Sequence, residues 1–252
     1  MTFEVAGDAY DRFMGRYSRP LAAGFADWLE VSAGQRAVDV GCGPGALTGV
    51  LVERLGADRV RAVDPSAPFV DACRERFPGV DVRLGVAEAL PFEDDAFDVA
   101  GACLVVHFMS DPVAGVGEMR RVTRPGGWVG ATVWDLLAHR TPMSVIREVL
   151  VELRSEPDSD EEVPVGSASG LEGVLDASGL GDVEVVEMAV TVSHPTFEEW
   201  WEPFQHGVGP IGETIAALDP GVRVSLEEAL RARLGEGPFE MTGTAFAGRG
   251  RA

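Results

Sequence analysis

The segment that most constrains the fold is VDVGCGPG, residues 38–45, in which an apolar run ends in a turn with three glycines. An amphipathic stretch that suits a helix follows this turn directly. Glycines let a backbone approach a bound ligand closely, and the first turn of a helix presents amide groups that lack intrahelical partners. The segment therefore predicts a strand, a tight turn and a helix that together face a nucleotide-like ligand.

Short β-branched runs alternate with amphipathic stretches from about residue 36 to about residue 178. This alternation indicates an α/β fold, with a doubly wound, Rossmann-like sheet and helices on both faces. The predicted strands are residues 35–40, 59–63, 80–84, 97–106, 128–134, 183–192 and 240–247. The predicted helices are residues 46–55, 66–77, 111–122, 141–153 and 169–178. Between the last two strands, Thr196 with Glu199 and Ser225 with Glu228 match the capping-box pattern and predict two more helices.

The length of 252 residues suits one domain with insertions better than two independent domains. The predicted organisation is an N-terminal helical cover at residues 1–30, a cofactor-binding core at 31–134, and substrate-side insertions at 135–168 and 193–238. The acidic run at residues 156–162 is expected to form a solvated loop within the first insertion.

The formal net charge of −20 disfavours a nucleic-acid partner, because phosphate backbones are attracted to basic surfaces. All 21 basic residues are arginines, which excludes Schiff-base chemistry on a lysine. The longest apolar run, residues 99–109, is shorter than the roughly 20 residues that span a bilayer, and the N-terminus lacks the features of a secretory signal. We therefore expect no membrane partner and a cytoplasmic location.

Cysteine and histidine spacing argues against a metal site. Cys42, Cys73 and Cys103 are far apart in the chain, which predicts reduced, separately buried thiols rather than disulfides or a thiolate cage. The histidines beyond residue 130 show no spacing typical of metal ligands. No metal cofactor is expected.

Asp64 follows the glycine turn at about the spacing of a carboxylate that accepts hydrogen bonds from ribose hydroxyls. On its own it could equally be a turn residue before Pro65 or an acid at a helix N-terminus. The glycines are spaced Gly-x-Gly-x-Gly and Ala46 follows them, which differs from the dinucleotide fingerprint Gly-x-Gly-x-x-Gly. This spacing and the lack of any Tyr-x-x-x-Lys pair disfavour a nicotinamide-dependent oxidoreductase, which stays as one alternative.

The turn closely resembles the first motif of the class I S-adenosylmethionine-dependent methyltransferases, in particular the small-molecule group called type 11. The similarity extends from about Tyr10 to Trp134 and includes the loop at residues 124–127. The resemblance implies a seven-stranded sheet whose last strand, residues 240–247, is antiparallel and inserted beside the fifth. It also implies S-adenosylmethionine as cofactor and a small-molecule acceptor whose oxygen, nitrogen or carbon nucleophile displaces the methyl group directly.

By the same resemblance, the glycine turn lines the methionine part of the cofactor, and Asp39 beneath the turn orients its amino group. Asp64 is expected to hold the ribose hydroxyls, and Pro65 to border the adenine. The expected lining residues of the turn are Gly41, Cys42, Gly43 and Gly45.

The segment Val86, Ala87 and Glu88 resembles the one that contacts the adenine edge. Related proteins usually have an acidic residue at the position of Val86, so the resemblance leaves the backbone amide of Ala87 as the polar group there. Tyr10 and Arg16 belong to a stretch that resembles an N-terminal helix over the carboxylate end of the cofactor.

Leu104 to His107 resembles the stretch under the transferable methyl group, and His107 is the candidate base that removes a proton from the acceptor. A packing role for His107 is the favoured interpretation. Open α/β sheets bind ligands over the carboxyl ends of their strands, so aromatic side chains in the insertions could wall an acceptor site, although such residues usually form core. These candidates are Trp134, Phe197, Trp200, Trp201 and Phe204. A non-catalytic cofactor-binding protein is the second alternative, and both a monomer and a homodimer are compatible with the sequence.

Overall fold

One mixed sheet of seven strands organises the protein. The computed structural model describes residues 14–154, 164–205, 207 and 209–252. The strands are β1 (Ala37–Val40), β2 (Val60–Asp64), β3 (Asp81–Leu84), β4 (Phe97–Cys103), β5 (Thr123–Trp134), β6 (Gly181–His194) and β7 (Phe239–Arg251). The sheet order is β3-β2-β1-β4-β5-β7-β6, in which β7 is antiparallel to both of its neighbours and the other pairs are parallel. The predicted doubly wound sheet, with an antiparallel last strand beside the fifth, is confirmed.

Helices cover both faces of this sheet. Those in the described ranges are α1 (Gly15–Trp28), α2 (Ala46–Leu55), α3 (Ala67–Arg76), α4 (Pro112–Val122), α5 (Ser144–Arg154), α6 (Ala168–Ala177), α7 (Phe197–Gln205), α8 (Gly209–Ala216) and α9 (Pro220–Leu234). Alternate residues of a strand point to opposite faces. In β1, Ala37 joins the apolar cluster with α1, α2 and α3, whereas Val38 and Val40 join the cluster with α4 and α6. Burial on both faces explains why the central strands are continuously apolar.

A third apolar cluster, here called the cap cluster, lies beyond the carboxyl edge of the sheet. It combines the first half of α1 with α5, α7, α8, α9 and the ends of β6 and β7. Its large buried side chains include Tyr17, Trp134, Phe197, Trp200, Trp201 and Phe204. Within the described ranges, no helix combines the length and the hydropathy needed to cross a bilayer.

The cap is attached to the sheet by a continuation of two strands. β5 ends at Trp134, and six further β6–β7 pairs lie beyond it, from Ala189–Thr244 to His194–Phe239. At about 3.4 Å per residue this two-stranded ribbon extends roughly 20 Å past β5. Residues at the end of β6 therefore lie within the cap.

The apolar run that predicts β4 continues beyond the residue at which the strand ends. β4 stops at Cys103 rather than at residue 106, because Leu104 adopts a left-handed conformation with φ of 61°. A 3-10 turn, Val106–Phe108, follows, so His107 lies in a turn beyond the strand. β5 in turn begins at Thr123 and includes residues 124–127, which the sequence predicts as a loop.

The second predicted capping box is wrong. Ser225 lies inside α9, which begins at Pro220 after Asp219, because a proline suits the first helical position. At the first predicted capping box, Thr196 Oγ1 accepts a hydrogen bond from Glu199 N at 3.2 Å, whereas the carboxylate of Glu199 pairs with Arg16. No sequence pattern noted above predicts α8. The acidic run at residues 156–162 lies outside the described residues.

Cys42 and Cys73 are buried, whereas Cys103 is partly exposed. All three cysteines are unbridged.

Candidate functional site

The glycine turn lies at the carboxyl edge of the sheet, between β1 and α2. Gly41, Gly43 and Gly45 have positive φ values of 71°, 52° and 98°. The amides of Gly41 and Cys42 donate to the carbonyl of Val63 at 2.8 and 3.0 Å, which fixes the turn to the end of β2. Left-handed conformations are costly for residues with a side chain, so the turn favours glycine at these positions.

The space beside the three glycines differs. A Cβ on Gly41 would lie 2.4 Å from Val105 Cγ1, and a Cβ on Gly45 would lie 2.4 Å from Phe77 Cε2. A Cβ on Gly43 would meet no heavy atom within 4 Å. The open side of the turn is therefore at Gly43.

The carboxylate of Asp64 joins this open side to the beginning of α3. Its Oδ2 accepts a hydrogen bond from Gly43 N and its Oδ1 accepts one from Ser66 N, both at 2.8 Å. Burial raises the pKa of Asp64, while the two amide hydrogen bonds act in the opposite direction. A carboxylate has about four lone-pair positions, so both oxygens retain capacity for further donors.

Asp39 lies beneath the turn and is 1% exposed. Its Oδ2 accepts from Thr48 Oγ1 at 2.6 Å, whereas its Oδ1 is buried and has no hydrogen-bond partner among the described residues. Burial raises the pKa of Asp39 to about 7, the hydrogen bonds of Thr48 lower it, and the negative charge of Asp64 raises it further. A buried carboxylate in this state is stabilised by an added donor or cation.

The chain turns sharply after β4. The amide of Leu104 donates to the carbonyl and to Oγ1 of Thr132, at 3.1 and 2.9 Å. In the 3-10 turn that follows, Nδ1 of His107 is buried without a partner in the described part of the chain, and burial lowers the pKa of His107 to about 4. Its ring centroid is 3.9 Å from that of Phe108. His107 is therefore neutral at physiological pH and a weak proton acceptor.

The segment after β3 crosses the same edge and is held to α4. Glu88 Oε1 accepts from Asp111 N at 3.2 Å, and Leu90 N donates to Glu118 Oε2 at 2.9 Å. The side chain of Val86 is 46% exposed and has no polar group. The carboxylate of Glu88 thus contacts the beginning of α4.

A buried tyrosine–histidine pair, which the sequence analysis does not single out, lies in the cap. Tyr17 Oη and His194 Nε2 are 2.7 Å apart. Nδ1 of His194 is also buried and has no partner among the residues that the structure describes. Burial lowers the pKa of His194 to about 4 and raises the pKa of Tyr17 above its ordinary value. Both side chains are therefore neutral around pH 7.

A cavity of about 10 Å³ adjoins this pair. Its lining includes Arg16 and Glu199, which form an ion pair between α1 and α7, and also Trp200 and Phe204. Three further acceptor-site candidates do not line the cavity and are buried elsewhere in the cap cluster: Trp134, Phe197 and Trp201. Tyr10 lies outside the described residues. Within the described ranges, no group of three or more His, Cys, Asp or Glu is arranged to hold a metal ion.

Residues 38–131 match a family model described as a methyltransferase domain. The match includes the glycine turn and Asp64, and it confirms the resemblance to the type 11 group. This part of the chain is thus similar to a methyltransferase domain, and it lies within the seven-stranded sheet described above.

Two curated relatives illustrate the similarity in sequence. Over 135 residues the chain is 41% identical to an uncharacterized methyltransferase of Mycobacterium tuberculosis, covering 54% of this chain and 52% of the relative. Over 94 residues it is 38% identical to the malonyl-(acyl-carrier protein) O-methyltransferase of Serratia marcescens, covering 37% and 36%. The chain thus spans about half the length, or less, of these relatives.

Two solved structures share the fold. The YcgJ protein of Bacillus subtilis has a TM-score of 0.58 at 16% identity, with 92% of this chain and 98% of that chain covered. The geranyl diphosphate C-methyltransferase of Streptomyces coelicolor, in complex with Mg²⁺, geranyl diphosphate and S-adenosylhomocysteine, has a TM-score of 0.55 at 16% identity, covering 94% and 80%. At these identities the likeness concerns the fold alone.

Proposed function

We propose that this protein transfers the methyl group of S-adenosylmethionine to a small-molecule acceptor. The observation that carries the proposal is the pair of buried carboxylates beside the glycine turn. Asp39 lies beneath the turn with one oxygen unpartnered, and Asp64 holds the amide of Gly43 while retaining acceptor capacity.

The residues present fit the amino-acid and ribose parts of this cofactor. An ammonium group would supply the donor and the positive charge that Oδ1 of Asp39 lacks among the described residues. Ribose hydroxyls would donate to the remaining lone pairs of Asp64. The open space at Gly43 would admit the ligand close to the backbone, with Cys42, Gly41 and Gly45 forming the rest of the turn.

The adenine side is less polar. The proposed contacts are the backbone amide of Ala87 and the ring of Pro65, because Val86 has no hydrogen-bonding side chain and the hydrogen bond from Asp111 N holds the carboxylate of Glu88 at the beginning of α4. We expect weaker selection for the adenine amino group than a carboxylate at position 86 would give. Leu104, at the sharp turn after β4, would border the methyl-bearing end.

When bound, the cofactor supplies an electrophilic sulfonium methyl group. The protein then needs chiefly to align the acceptor with the carbon–sulfur bond, which is worth effective molarities of roughly 10⁵–10⁸ M in well-oriented systems. His107 is neutral and accepts protons weakly, so we assign it a packing role ahead of a role as base.

The acceptor side is proposed to lie under the cap. Tyr17 and His194 offer the buried polar groups there, and Trp200 with Phe204 offers apolar walls beside them. A cavity of about 10 Å³ does not hold an organic acceptor, so the cap helices have to move for one to enter. We propose the same division of the chain as the sequence predicts, into an N-terminal cover, a cofactor-binding core and two substrate-side insertions.

Calorimetric titration with S-adenosylhomocysteine, and separately with NAD, tests the cofactor. We expect binding of S-adenosylhomocysteine alone, weakened by Asp64→Ala and unchanged by Asp71→Ala, a control at a carboxylate that is 76% exposed on α3. Binding of NAD alone would instead favour the oxidoreductase alternative. Transfer of labelled methyl groups to a panel of phenols, amines and carboxylic acids then tests turnover, and binding without transfer favours the non-catalytic alternative.

A further inference from the structure

A cavity of about 530 Å³ lies near the amino ends of the strands, whereas the glycine turn lies at the carboxyl edge of the sheet. Arg36 immediately precedes β1 and Arg59 immediately precedes β2, and both line this cavity, as does Phe97 at the beginning of β4. The whole length of β2 separates Arg59 from Asp64. The cavity, here called the arginine cavity, is therefore separate from the proposed cofactor site.

The arginine cavity exists because no helix in the described ranges covers β2 and β3 on this face. Arg61 is paired with Asp81 across these strands, and Arg83 follows on the same face of β3. On this face α4 packs against β4 and β5, while residues 85–96 form only a short 3-10 turn and a loop. Arginine side chains thus occupy a sheet surface that a helix covers elsewhere.

The lining is cationic in a strongly acidic protein. Four arginines line the cavity with two carboxylates, Asp58 and Glu93, whereas the chain as a whole carries a formal charge of −20. Arg61 and Arg83 share the carboxylate of Asp81.

The other two arginines, Arg36 and Arg59, form fewer interactions with the protein. Arg59 Nη1 donates to the carbonyl of Gly34 at 2.9 Å, which uses one of five guanidinium donors. In the part of the chain that the structure describes, neither Arg36 nor Arg59 has a carboxylate within ion-pair distance. Both therefore have donors free for a ligand.

The lining also includes apolar side chains. Phe92 and Phe97 pack edge to face with ring centroids 5.2 Å apart, and Leu90 and Pro91 extend the surface. Arg83 lies over the Phe92 ring, with its guanidinium carbon 4.7 Å from the centroid. The cavity thus offers a cationic side and an aromatic side to one ligand.

We propose that the arginine cavity is a second ligand site, which binds a small organic phosphate that carries an aromatic or apolar group. Guanidinium groups match phosphate oxygens in a bidentate manner, and a volume of this size falls in the range of small-molecule sites. The phosphate would lie between Arg36 and Arg59, and the apolar group would pack against Phe92 and Pro91. This site goes beyond methyl transfer and does not depend on it.

Calorimetric titration of the full chain with phenyl phosphate, inorganic phosphate and phenol tests the site. We expect saturable binding of phenyl phosphate, weaker binding of inorganic phosphate and none of phenol. The variant Arg36→Gln with Arg59→Gln should lose about tenfold or more in affinity, because charge-assisted hydrogen bonds contribute more than neutral ones.

The control variant carries Arg120→Gln with Arg233→Gln, which removes the same charge from α4 and α9 outside the cavity. It should bind phenyl phosphate as the unchanged protein does, and both variants should bind S-adenosylhomocysteine equally. The proposal is overturned if phenyl phosphate does not bind saturably, if phenol binds as well, or if the two double variants lose the same affinity.

Discussion

Tyr17 and His194 share a hydrogen bond of 2.7 Å although 177 positions separate them in the chain. One residue comes from the first turns of α1 and the other from the last residue of β6, so the bond ties the N-terminal helix to the end of the ribbon. Its setting is apolar, because both residues are nearly fully buried against the cap cluster. Removing one partner of such a buried pair lowers the free energy of unfolding, because the other partner is left without a hydrogen bond away from water.

The variant Tyr17→Phe should lower the free energy of unfolding by about 1–3 kcal/mol, because it leaves both ring nitrogens of His194 unpartnered in the cap. Urea denaturation at pH 7 measures this loss. In a His194→Phe background the same substitution should cost much less. Equal costs in both backgrounds would show that the hydrogen bond is energetically unimportant.

Acidification should weaken the contribution of His194 to stability. Its folded pKa of about 4 lies below its ordinary value of 6.5, so the unfolded chain takes up the proton first as the pH falls. The contribution is complete above pH 6.5 and is lost progressively towards pH 4. The stability difference between the unchanged protein and the Tyr17→Phe, His194→Phe variant should therefore increase from pH 4.5 to pH 7.5, and a flat difference contradicts the assignment.

The variant Asp39→Asn should make the cofactor-free protein more stable at pH 8. The folded pKa of Asp39, about 7, lies above its ordinary value of 3.8, so its proton stabilises the folded state, and that contribution is lost as the pH rises through 7. Each pKa unit corresponds to about 1.4 kcal/mol, so the rise in the pKa of Asp39 corresponds to a gain on the order of 4 kcal/mol. Denaturation at pH 5 and pH 8 measures it.

The same Asp39→Asn substitution should weaken S-adenosylhomocysteine binding, because the negative charge that would face the ammonium group is removed. A gain in stability with a loss in affinity distinguishes a ligand-binding carboxylate from a structural one. If affinity is unchanged, the proposed role of Asp39 is wrong.

Alanine substitutions at two glycines of the turn should separate packing from binding. Gly41→Ala should carry the left-handed backbone cost of about 1–2 kcal/mol and, in addition, about 1–3 kcal/mol from overpacking against Val105, and Val105→Ala should recover part of the second cost. Gly43→Ala carries only the left-handed backbone cost of about 1–2 kcal/mol, but its methyl group enters the open side of the turn. We expect calorimetry to show the larger loss of S-adenosylhomocysteine affinity for Gly43→Ala, and the reverse order would contradict the proposed site.

The three thiols should react slowly with a disulfide reagent in the native state. The neighbouring thiol of Cys73 and burial raise the pKa of Cys42 well above its ordinary value, and burial raises the pKa of Cys103 to about 12. Because the thiolate is the reactive form, modification should be slow at pH 8 and should reach three thiols per chain in urea. Rapid modification of any one thiol in native protein would contradict this burial.

The cofactor-side half of the fold is readable from the sequence because its determinants are local. The glycine turn, the acid at the end of β2 and the proline after Asp111 each act within a few residues, and the structure has the predicted elements there. The end of β4 is different. Leu104 has no sequence feature that predicts its positive φ, since the apolar run continues to Val106.

The cap is less predictable because distant contacts define it. The capping pattern at Ser225 is overridden by Pro220, which starts the helix earlier. The partners Tyr17 and His194 carry no shared local signal, and the ion pair of Arg16 with Glu199 likewise joins two separate segments. The sequence indicates that aromatic side chains lie in the insertions, but it does not indicate which polar groups are buried beside them.

The β6–β7 ribbon limits how the cap can open. Its backbone hydrogen bonds are continuous from the sheet to the His194–Phe239 pair, so a hinge between sheet and cap would have to break a strand ladder. The side-chain contact between Arg16 and Glu199, by contrast, is partly exposed and so contributes little to holding α7 against α1. We therefore expect the cap helices, rather than the ribbon, to move when an acceptor enters.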